Sequence, residues 1–190
     1  MDFTHILILS IIQGITEFLP ISSQSHLILS SYLLGLKDQG LGFDIALHFG
    51  SLIAILIYYR KEIRSLFSFS DEGLNYLRLI IIGSIPLPII GLLFIDIVSQ
   101  NMRSVLSIAS MTLLFGIILY LADVRKKEVV TKFSNISVYT IIFIGLMQTL
   151  AIMPGVSRSG IVITAALLAN FSREDSIKIA FLLSIPAIFM

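Results

Sequence analysis

The sequence predicts an all-α integral membrane protein, a multi-span helical bundle with two re-entrant helix-loop-helix hairpins in an inverted-topology repeat. Three observations lead to this prediction. Of the 190 residues, 13% are charged and 56% are hydrophobic, whereas a soluble domain carries about 25% charged residues. Several uncharged runs approach the roughly 20 residues that cross a bilayer as a helix. Two further apolar stretches are each broken near their middle by a proline and a cluster of polar residues.

The composition also excludes several classes of function. A net charge of +1 gives no reason to expect nucleic acid as a partner. The chain has no cysteine, which excludes disulfides, thiolate nucleophiles and cysteine-bound zinc. The N-terminus carries Asp2 in place of basic residues and no small-residue cleavage site follows. We therefore interpret this segment as part of the fold and not as a signal peptide.

Ordinary spans are expected at about 43–60, 78–97 and 104–123, because about 20 helical residues cover a hydrocarbon core of about 30 Å. Basic residues are concentrated in the two connections that flank the later pair of spans, and the positive-inside rule places both connections in the cytoplasm. These residues are Arg60, Lys61, Arg64, Arg125, Lys126, Lys127 and Lys132. The loops at 37–44 and 99–103 then face outward.

Residues 1–36 would form a helix of about 54 Å, well beyond one bilayer crossing, and Pro20 interrupts it. We therefore expect a re-entrant hairpin that opens from the outer face. A polar loop at membrane depth is tolerated only inside protein or beside water. The polar residues at the midpoint of this hairpin are Glu17, Ser22, Ser23, Gln24, Ser25 and His26.

Residues 133–172 repeat this design, with an apolar helix, a polar break at 153–160 and a second apolar helix. Gln13 precedes Pro20 by seven positions, and Gln148 precedes Pro154 by six. Hydroxyl residues follow each proline. Because the second hairpin starts from the cytoplasmic side and the first from outside, the two halves have opposite orientation, which is an inverted-topology repeat.

The repeat sets the expected organisation of the chain. We divide it into a first repeat at 1–123, a cytoplasmic loop at 124–132 and an incomplete second repeat at 133–190, which ends in the start of a span at 174–190. Counterparts of the two preceding spans do not follow. We therefore expect a C-terminally truncated chain, either a fragment or a truncated natural product.

The residues at the two breaks indicate phosphate chemistry. Inverted repeats bring their interrupted helices together near the midplane, where the N-termini of half-helices can bind an anion. Arg158, flanked by Ser157 and Ser159, can hold a phosphoryl group through forked, charge-assisted hydrogen bonds. Glu17 beside it could act as a base or bind a divalent metal ion. A serine near a histidine permits nucleophilic attack on phosphorus.

Two segments, Gln13-Gly14-Ile15-Thr16-Glu17-Phe18-Leu19-Pro20-Ile21-Ser22-Ser23 and Pro154-Gly155-Val156-Ser157-Arg158-Ser159-Gly160, resemble the two signature motifs of the undecaprenyl-diphosphatase family, also called the bacitracin-resistance proteins. The resemblance covers essentially the whole chain. It implies a multi-pass phosphatase of the bacterial cytoplasmic (inner) membrane, with an active site open toward the periplasmic face. Such an enzyme hydrolyses undecaprenyl diphosphate to the monophosphate, recycles this lipid carrier for peptidoglycan synthesis and confers bacitracin resistance.

The resemblance also implies a role for individual residues. Glu17 would be the essential carboxylate, Ser23 the nucleophile, His26 the base or acid, and Arg158 the phosphate clamp. The supporting phosphate-binding residues would be Ser22, Ser157, Ser159, Gly155 and Gly160. The family requires a divalent cation, Mg²⁺ or Ca²⁺, for which Glu17 and Gln13 are the implied ligands. Gln13 replaces a glutamate of the family motif, and the attacking group could be either Ser23 or a water molecule.

Other functions remain open from the residues alone. A lipid-phosphate transporter or flippase could use the same broken helices, with Arg158 and Glu17 serving only to bind, and an inactive truncated remnant is a third interpretation. The expected partners are a polyprenyl diphosphate lipid and membrane lipids. A homodimer contact could form through the small residues Gly83, Gly91, Gly116 and Gly145. We place His5 and His48 outside the site, the latter as an i, i+4 partner of Asp44.

Overall fold

The computed structural model describes residues 3–35, 41–67, 70–102, 104–125, 131 and 133–189, and all regular structure in these ranges is helical. The helices are α1 (Phe3–Thr16), α2 (Ser23–Leu33), α3 (Leu41–Tyr58), α4 (Arg60–Leu66), α5 (Asp71–Ser84), α6 (Pro86–Asn101), α7 (Val105–Val124), α8 (Val138–Gln148), α9 (Arg158–Leu168) and α10 (Arg173–Phe189). Single 3-10 turns lie at Phe133–Asn135 and Thr149–Ile152. The predicted all-α class is confirmed.

The longest apolar stretches in the described ranges match a multi-pass membrane protein. Gly73–Phe94 and Val105–Val124 are long and apolar enough to cross a bilayer, and α3 with α4 would form a third, broken span with a bend of 77°. The break between α5 and α6 follows from Pro86 and Pro88, which cannot donate to the preceding helical turn. Only Ala122 is buried on α7, as expected for a helix whose apolar side chains face lipid.

Both predicted hairpin regions contain a break. In the first, α1 ends at Thr16 and α2 begins at Ser23. In the second, a 3-10 turn and the segment from Met153 to Ser157 separate α8 from α9. The four helices have between 11 and 14 residues, so each is about 16 to 21 Å long and too short to cross the hydrocarbon core alone.

The core lies around α9, whose apolar face packs against α7, α8 and α10. Helices α5 and α8 approach closely where two glycines face each other, since a Cβ atom added at Gly145 would lie 2.2 Å from the carbonyl oxygen of Gly83. These two glycines therefore form a helix contact within one chain. Gly91 and Gly116 have open space at the Cβ position, and a homodimer contact there stays a prediction.

Polar contacts join the two halves of the chain near the start of α10. Arg173 donates two hydrogen bonds to the carboxylate of Asp123, at 2.6 and 2.7 Å, which raises the pKa of Arg173 further above its ordinary value. The backbone N–H of Phe133 donates to Asp175 at 3.2 Å. Most of the predicted loop at 124–132, residues 37–40 of the predicted outer loop at 37–44, and Met190 lie outside the described residues.

Candidate active site

The two helix breaks meet in the structure. The hydroxyl of Ser159 donates to the backbone carbonyl of Leu19 at 3.1 Å, which joins the second break to the first. A Cβ atom added at Gly160 would lie 3.3 Å from the Cβ of Pro20. The start of α9 therefore lies beside the first break, and polar residues of both breaks line one cavity.

Glu17 is the centre of the polar contacts in this space. One carboxylate oxygen, Oε1, accepts a hydrogen bond from the guanidinium of Arg158, which comes from the other break. The other oxygen, Oε2, accepts from the hydroxyl of Ser23 at 2.6 Å and from the side-chain amide of Gln13 at 3.1 Å. The Glu17 side chain is only 6% exposed. An ionised carboxylate at this depth needs such donors, because an unpaired buried charge is costly.

The remaining hydroxyls hold the ends of the helices. The hydroxyl of Ser157 accepts from the backbone N–H of Gly160 at 3.2 Å and therefore caps α9, and it lies 3.1 Å from the hydroxyl of Ser159. On the first break the hydroxyls of Ser22 and Ser25 are 2.9 Å apart. Ser22 has a positive φ of 62°, a conformation that costs energy for a residue with a side chain and is common at functional sites.

A cavity of about 350 Å³ lies between the breaks. It has a polar floor and apolar walls from α3, α6 and α10. The lining residues are Glu17, Ser22, Ser23, Gln24, Asp44, Ile45, His48, Leu87, Ala151, Ile152, Val156, Ser157, Arg158, Ser159, Ala187 and Ile188. The cavity thus brings together the carboxylate, the arginine and four of the predicted serine hydroxyls.

The structure does not place every predicted residue on this cavity. Gly155 has a φ of 96° and packs against α7, where an added Cβ would lie 2.4 Å from the carbonyl oxygen of Ile108. Gly160 is likewise packed between the breaks. These two glycines permit close packing of the backbone, and their roles in phosphate binding stay predictions.

His26 also lies away from the cavity. Its Nδ1 is 2.9 Å from the backbone oxygen of Ser22, and its ring lines a largely apolar groove of about 750 Å³ between α2 and α7. Ser23, Leu27 and Ser31 are the buried residues of α2, whereas His26 lies on the side of α2 that faces α7. The structure therefore does not bring His26 together with Glu17 and Arg158.

His48 is the residue that sequence reasoning placed outside the site and that the structure brings into it. Its Nε2 lies 3.4 Å from Oε2 of Glu17, and the ring lines the cavity. His48 comes from α3, outside both hairpins and both motifs. The one sequence signal was that it follows Asp44 by a helical turn at the start of a span, which by itself does not point toward Glu17.

The two repeats are chemically unequal at equivalent positions. Gln13 and Gln148 are both buried, with exposed fractions of 1% and 0%. The amide of Gln13 donates to Glu17, four residues later, whereas the residue four positions after Gln148 is Ile152. Within the described residues, neither side-chain amide atom of Gln148 has a hydrogen-bond partner. Only the first repeat therefore supplies a carboxylate to the cavity from this position.

The side chains around Glu17 offer few free ligands for a divalent cation. The two oxygens of Glu17 already have four polar neighbours, and Gln13 does not line the cavity. Among the described residues no group of three or more histidine, cysteine, aspartate or glutamate side chains could hold a metal ion. Asp44 is a second carboxylate on the cavity wall. These residues do not form a ready-made cation site.

Comparisons with known proteins show the family of the chain. A family model described as bacitracin resistance protein BacA matches residues 6–190. The undecaprenyl-diphosphatase of Saccharophagus degradans is 44% identical over 99% of this chain and 74% of its own length. Those of Elusimicrobium minutum and Campylobacter curvus are 46% and 45% identical, over 99% and 100% of this chain and 74% and 75% of their own lengths. The chain is thus shorter than these relatives, and it belongs to the bacitracin resistance protein BacA family.

Proposed function

We propose that this chain is a membrane phosphatase that hydrolyses undecaprenyl diphosphate to undecaprenyl phosphate and inorganic phosphate. This reaction recycles the lipid carrier of cell-wall synthesis and confers resistance to bacitracin. The observation that carries the proposal is the hydrogen bond of 2.6 Å from the Ser23 hydroxyl to the Glu17 carboxylate, opposite the guanidinium of Arg158. A nucleophile, its base and a positively charged side chain that can bind an anion then share one cavity.

Ser23 is the nucleophile of the proposed reaction. Its oxygen attacks the terminal phosphorus while Oε2 of Glu17 accepts the hydroxyl proton. The new Oγ–P bond forms, the anhydride P–O bond breaks, and the prenyl monophosphate leaves with the electron pair. Water then attacks the phosphoserine: its oxygen bonds to phosphorus, one of its protons moves to a phosphate oxygen, the Oγ–P bond breaks, and Glu17 returns the first proton to the leaving Oγ of Ser23.

Arg158 binds the terminal phosphate in this proposal. A guanidinium has five N–H donors in a fixed fork, and its described hydrogen bond is the one to Glu17. The other donors and the hydroxyls of Ser157 and Ser159 line the cavity. A positive charge held in a site of low water content stabilises the negative charge that spreads over the phosphoryl oxygens in the transition state.

The proposed cation, Mg²⁺ or Ca²⁺, enters with the substrate. Mg²⁺ in proteins is usually bound through one or two carboxylates together with substrate phosphates, and when bound it would neutralise part of the diphosphate charge. Because the protein residues alone do not form a cation site, the diphosphate oxygens would supply the remaining ligands of the cation.

We propose that the cavity opens toward the outer, periplasmic face of the inner membrane. On α3, His48 lies twelve residues before Arg60, which is about 18 Å along a helix. On α10, Ala187 lies fourteen residues beyond Arg173, about 21 Å away by the same rise. The cavity therefore lies at the ends of both helices that are distant from the basic residues, and basic residues mark the cytoplasmic side.

The decisive experiment separates hydrolysis from transport. Purified protein in detergent is given farnesyl diphosphate with Mg²⁺, and released phosphate is measured for the wild type, Ser23→Ala, Glu17→Gln and the α1 control His5→Ala. We expect release from the wild type and the control and a loss of at least about 100-fold in the two site variants. Binding without release in every condition would contradict the proposal. Movement of labelled lipid phosphate between leaflets that survives Glu17→Gln would favour a transporter.

A further inference from the structure

The contacts of Glu17 include one residue that neither signature motif contains. His48 approaches from α3, with its Nε2 3.4 Å from Oε2 of Glu17. This is the same oxygen that accepts the hydroxyl proton of Ser23 in the hydrogen bond of 2.6 Å. We propose that His48 is a positioning residue for the chemical step, which fixes Glu17 relative to Ser23; this inference rests on the proposed function.

The orientation of the His48 ring is set by its own helix. Nδ1 lies 2.7 Å from the backbone oxygen of Asp44, one turn earlier. A carbonyl oxygen only accepts, so Nδ1 carries a hydrogen and donates it. This bond turns Nε2 toward Glu17, in the way that a second partner orients the histidine of many catalytic sites. The carboxylate also accepts, so His48 donates to both partners in its imidazolium form, in which Nδ1 and Nε2 each carry a hydrogen.

The position of His48 gives it a role that the other neighbours of Glu17 cannot fill. Arg158 holds Oε1, and in the proposed reaction it also binds the phosphate. Gln13 donates to Oε2 from the same helix that leads to Glu17, and it is neutral. His48 alone ties the carboxylate to α3, a helix that takes no part in either break. The Ser23–Glu17 pair is thereby held from outside the two hairpins when a substrate competes for Arg158.

A positioning role predicts a specific kinetic effect. The His48 ring contacts Glu17, which is the base of the proposed reaction, and it is not assigned a contact with the substrate. Shortening the side chain should therefore lower kcat more than it changes KM. We expect His48→Ala to lower kcat by about 10- to 100-fold, as is typical when an outer partner of a functional side chain is removed, with KM unchanged within about threefold. His48→Gln keeps an N–H donor of similar reach and should retain most of the activity.

The experiment compares four purified proteins with farnesyl diphosphate: the wild type, His48→Ala, His48→Gln and the control Ser51→Ala. Ser51 is buried on the same helix and bonds only to the backbone oxygen of Leu47, at 3.3 Å. The control should match the wild type. If His48→Ala does not fold, His48→Asn replaces it, because the shorter amide cannot reach Glu17.

The outcomes separate the two proposals. Wild-type protein that releases no phosphate overturns the proposed function. Active wild type with an unchanged kcat in His48→Ala overturns the role of His48, as does an equal loss in His48→Gln and His48→Ala. A raised KM with unchanged kcat would make His48 a substrate contact and would also overturn the positioning role. Reduced kcat, unchanged KM and rescue by glutamine support it.

Discussion

The ion pair between Glu17 and Arg158 should contribute to stability as well as to activity, and a double-mutant cycle would measure this. The two side chains are 6% and 20% exposed, so the pair is largely buried. Removing one partner of a buried pair costs about 3–5 kcal/mol, because a charge is left uncompensated. In Arg158→Leu the Glu17 carboxylate keeps three other neighbours, Ser23, Gln13 and His48. We therefore expect the free energy of unfolding to fall by about 3 kcal/mol, the lower end of that range.

Glu17→Gln should lower the free energy of unfolding by less than Arg158→Leu does. The glutamine amide oxygen can still accept a hydrogen bond from Arg158, and the guanidinium is the more exposed partner. The double variant should recover part of the loss, with a coupling energy of about 1–3 kcal/mol. The assay is equilibrium unfolding of detergent-solubilised protein by titration with a denaturing detergent. If the losses of the two single variants add up to the loss of the double variant within about 0.5 kcal/mol, the buried pair is refuted. A matched cycle between Glu17 and Arg173, which lies fourteen residues before the cavity-lining Ala187 on α10 and about 21 Å from it along the helix, should show such additivity.

Three further predictions follow from other contacts. Gly145→Leu should destabilise the fold by more than about 3 kcal/mol, because its Cβ would lie 2.2 Å from the Gly83 carbonyl oxygen, whereas Gly116→Leu, with open space there, should change the unfolding midpoint little. Ser23→Ala should abolish formation of a phosphoserine in rapid-quench experiments with labelled substrate, and Ser25→Ala should leave it; equal labelling in both variants would contradict the nucleophile. Chelation should stop phosphate release, while calorimetry should show Mg²⁺ binding only with a diphosphate present, and tight binding to protein alone would contradict the cation proposal.

Much of the site was predictable because its residues lie where the helices are interrupted. A proline with adjacent polar residues inside an apolar stretch marks a break, and two breaks in inverted halves are expected to meet. The pairing of Glu17 with Arg158 follows from this symmetry, because lone buried charges are too costly to remain unpaired. Ser23 follows Glu17 on the same break, and its hydroxyl is within reach of the carboxylate.

The remaining residues depend on packing that periodicity does not fix. His48 enters the site because α3 packs on α1, and the sequence does not specify which face of α3 meets which face of α1. His26 lies three residues after the first motif, yet it lines the groove between α2 and α7, and the packing of α2 on α7 is not fixed by its sequence. The expected span at 78–97 overlaps the apolar helical stretch Gly73–Phe94, which runs through the boundary between α5 and α6.

The central claim is that the two helix breaks form one active centre, and a cross-link tests it most directly. The chain has no cysteine, so introduced cysteines can pair only with each other. A Cβ at Gly160 would lie 3.3 Å from that of Pro20, close to the Cβ separation of about 3.5–4.5 Å in disulfides.

Pro20→Cys combined with Gly160→Cys should therefore form a disulfide under mild oxidation. The readout is a protease site introduced in the loop at 124–132, after whose cleavage the two fragments stay joined on a non-reducing gel. The control pair, Gly160→Cys with His5→Cys at the far end of α1, should separate. Efficient joining of the first pair alone is the predicted result. Separation of the first pair in folded protein with reactive thiols would contradict a centre shared by the two breaks.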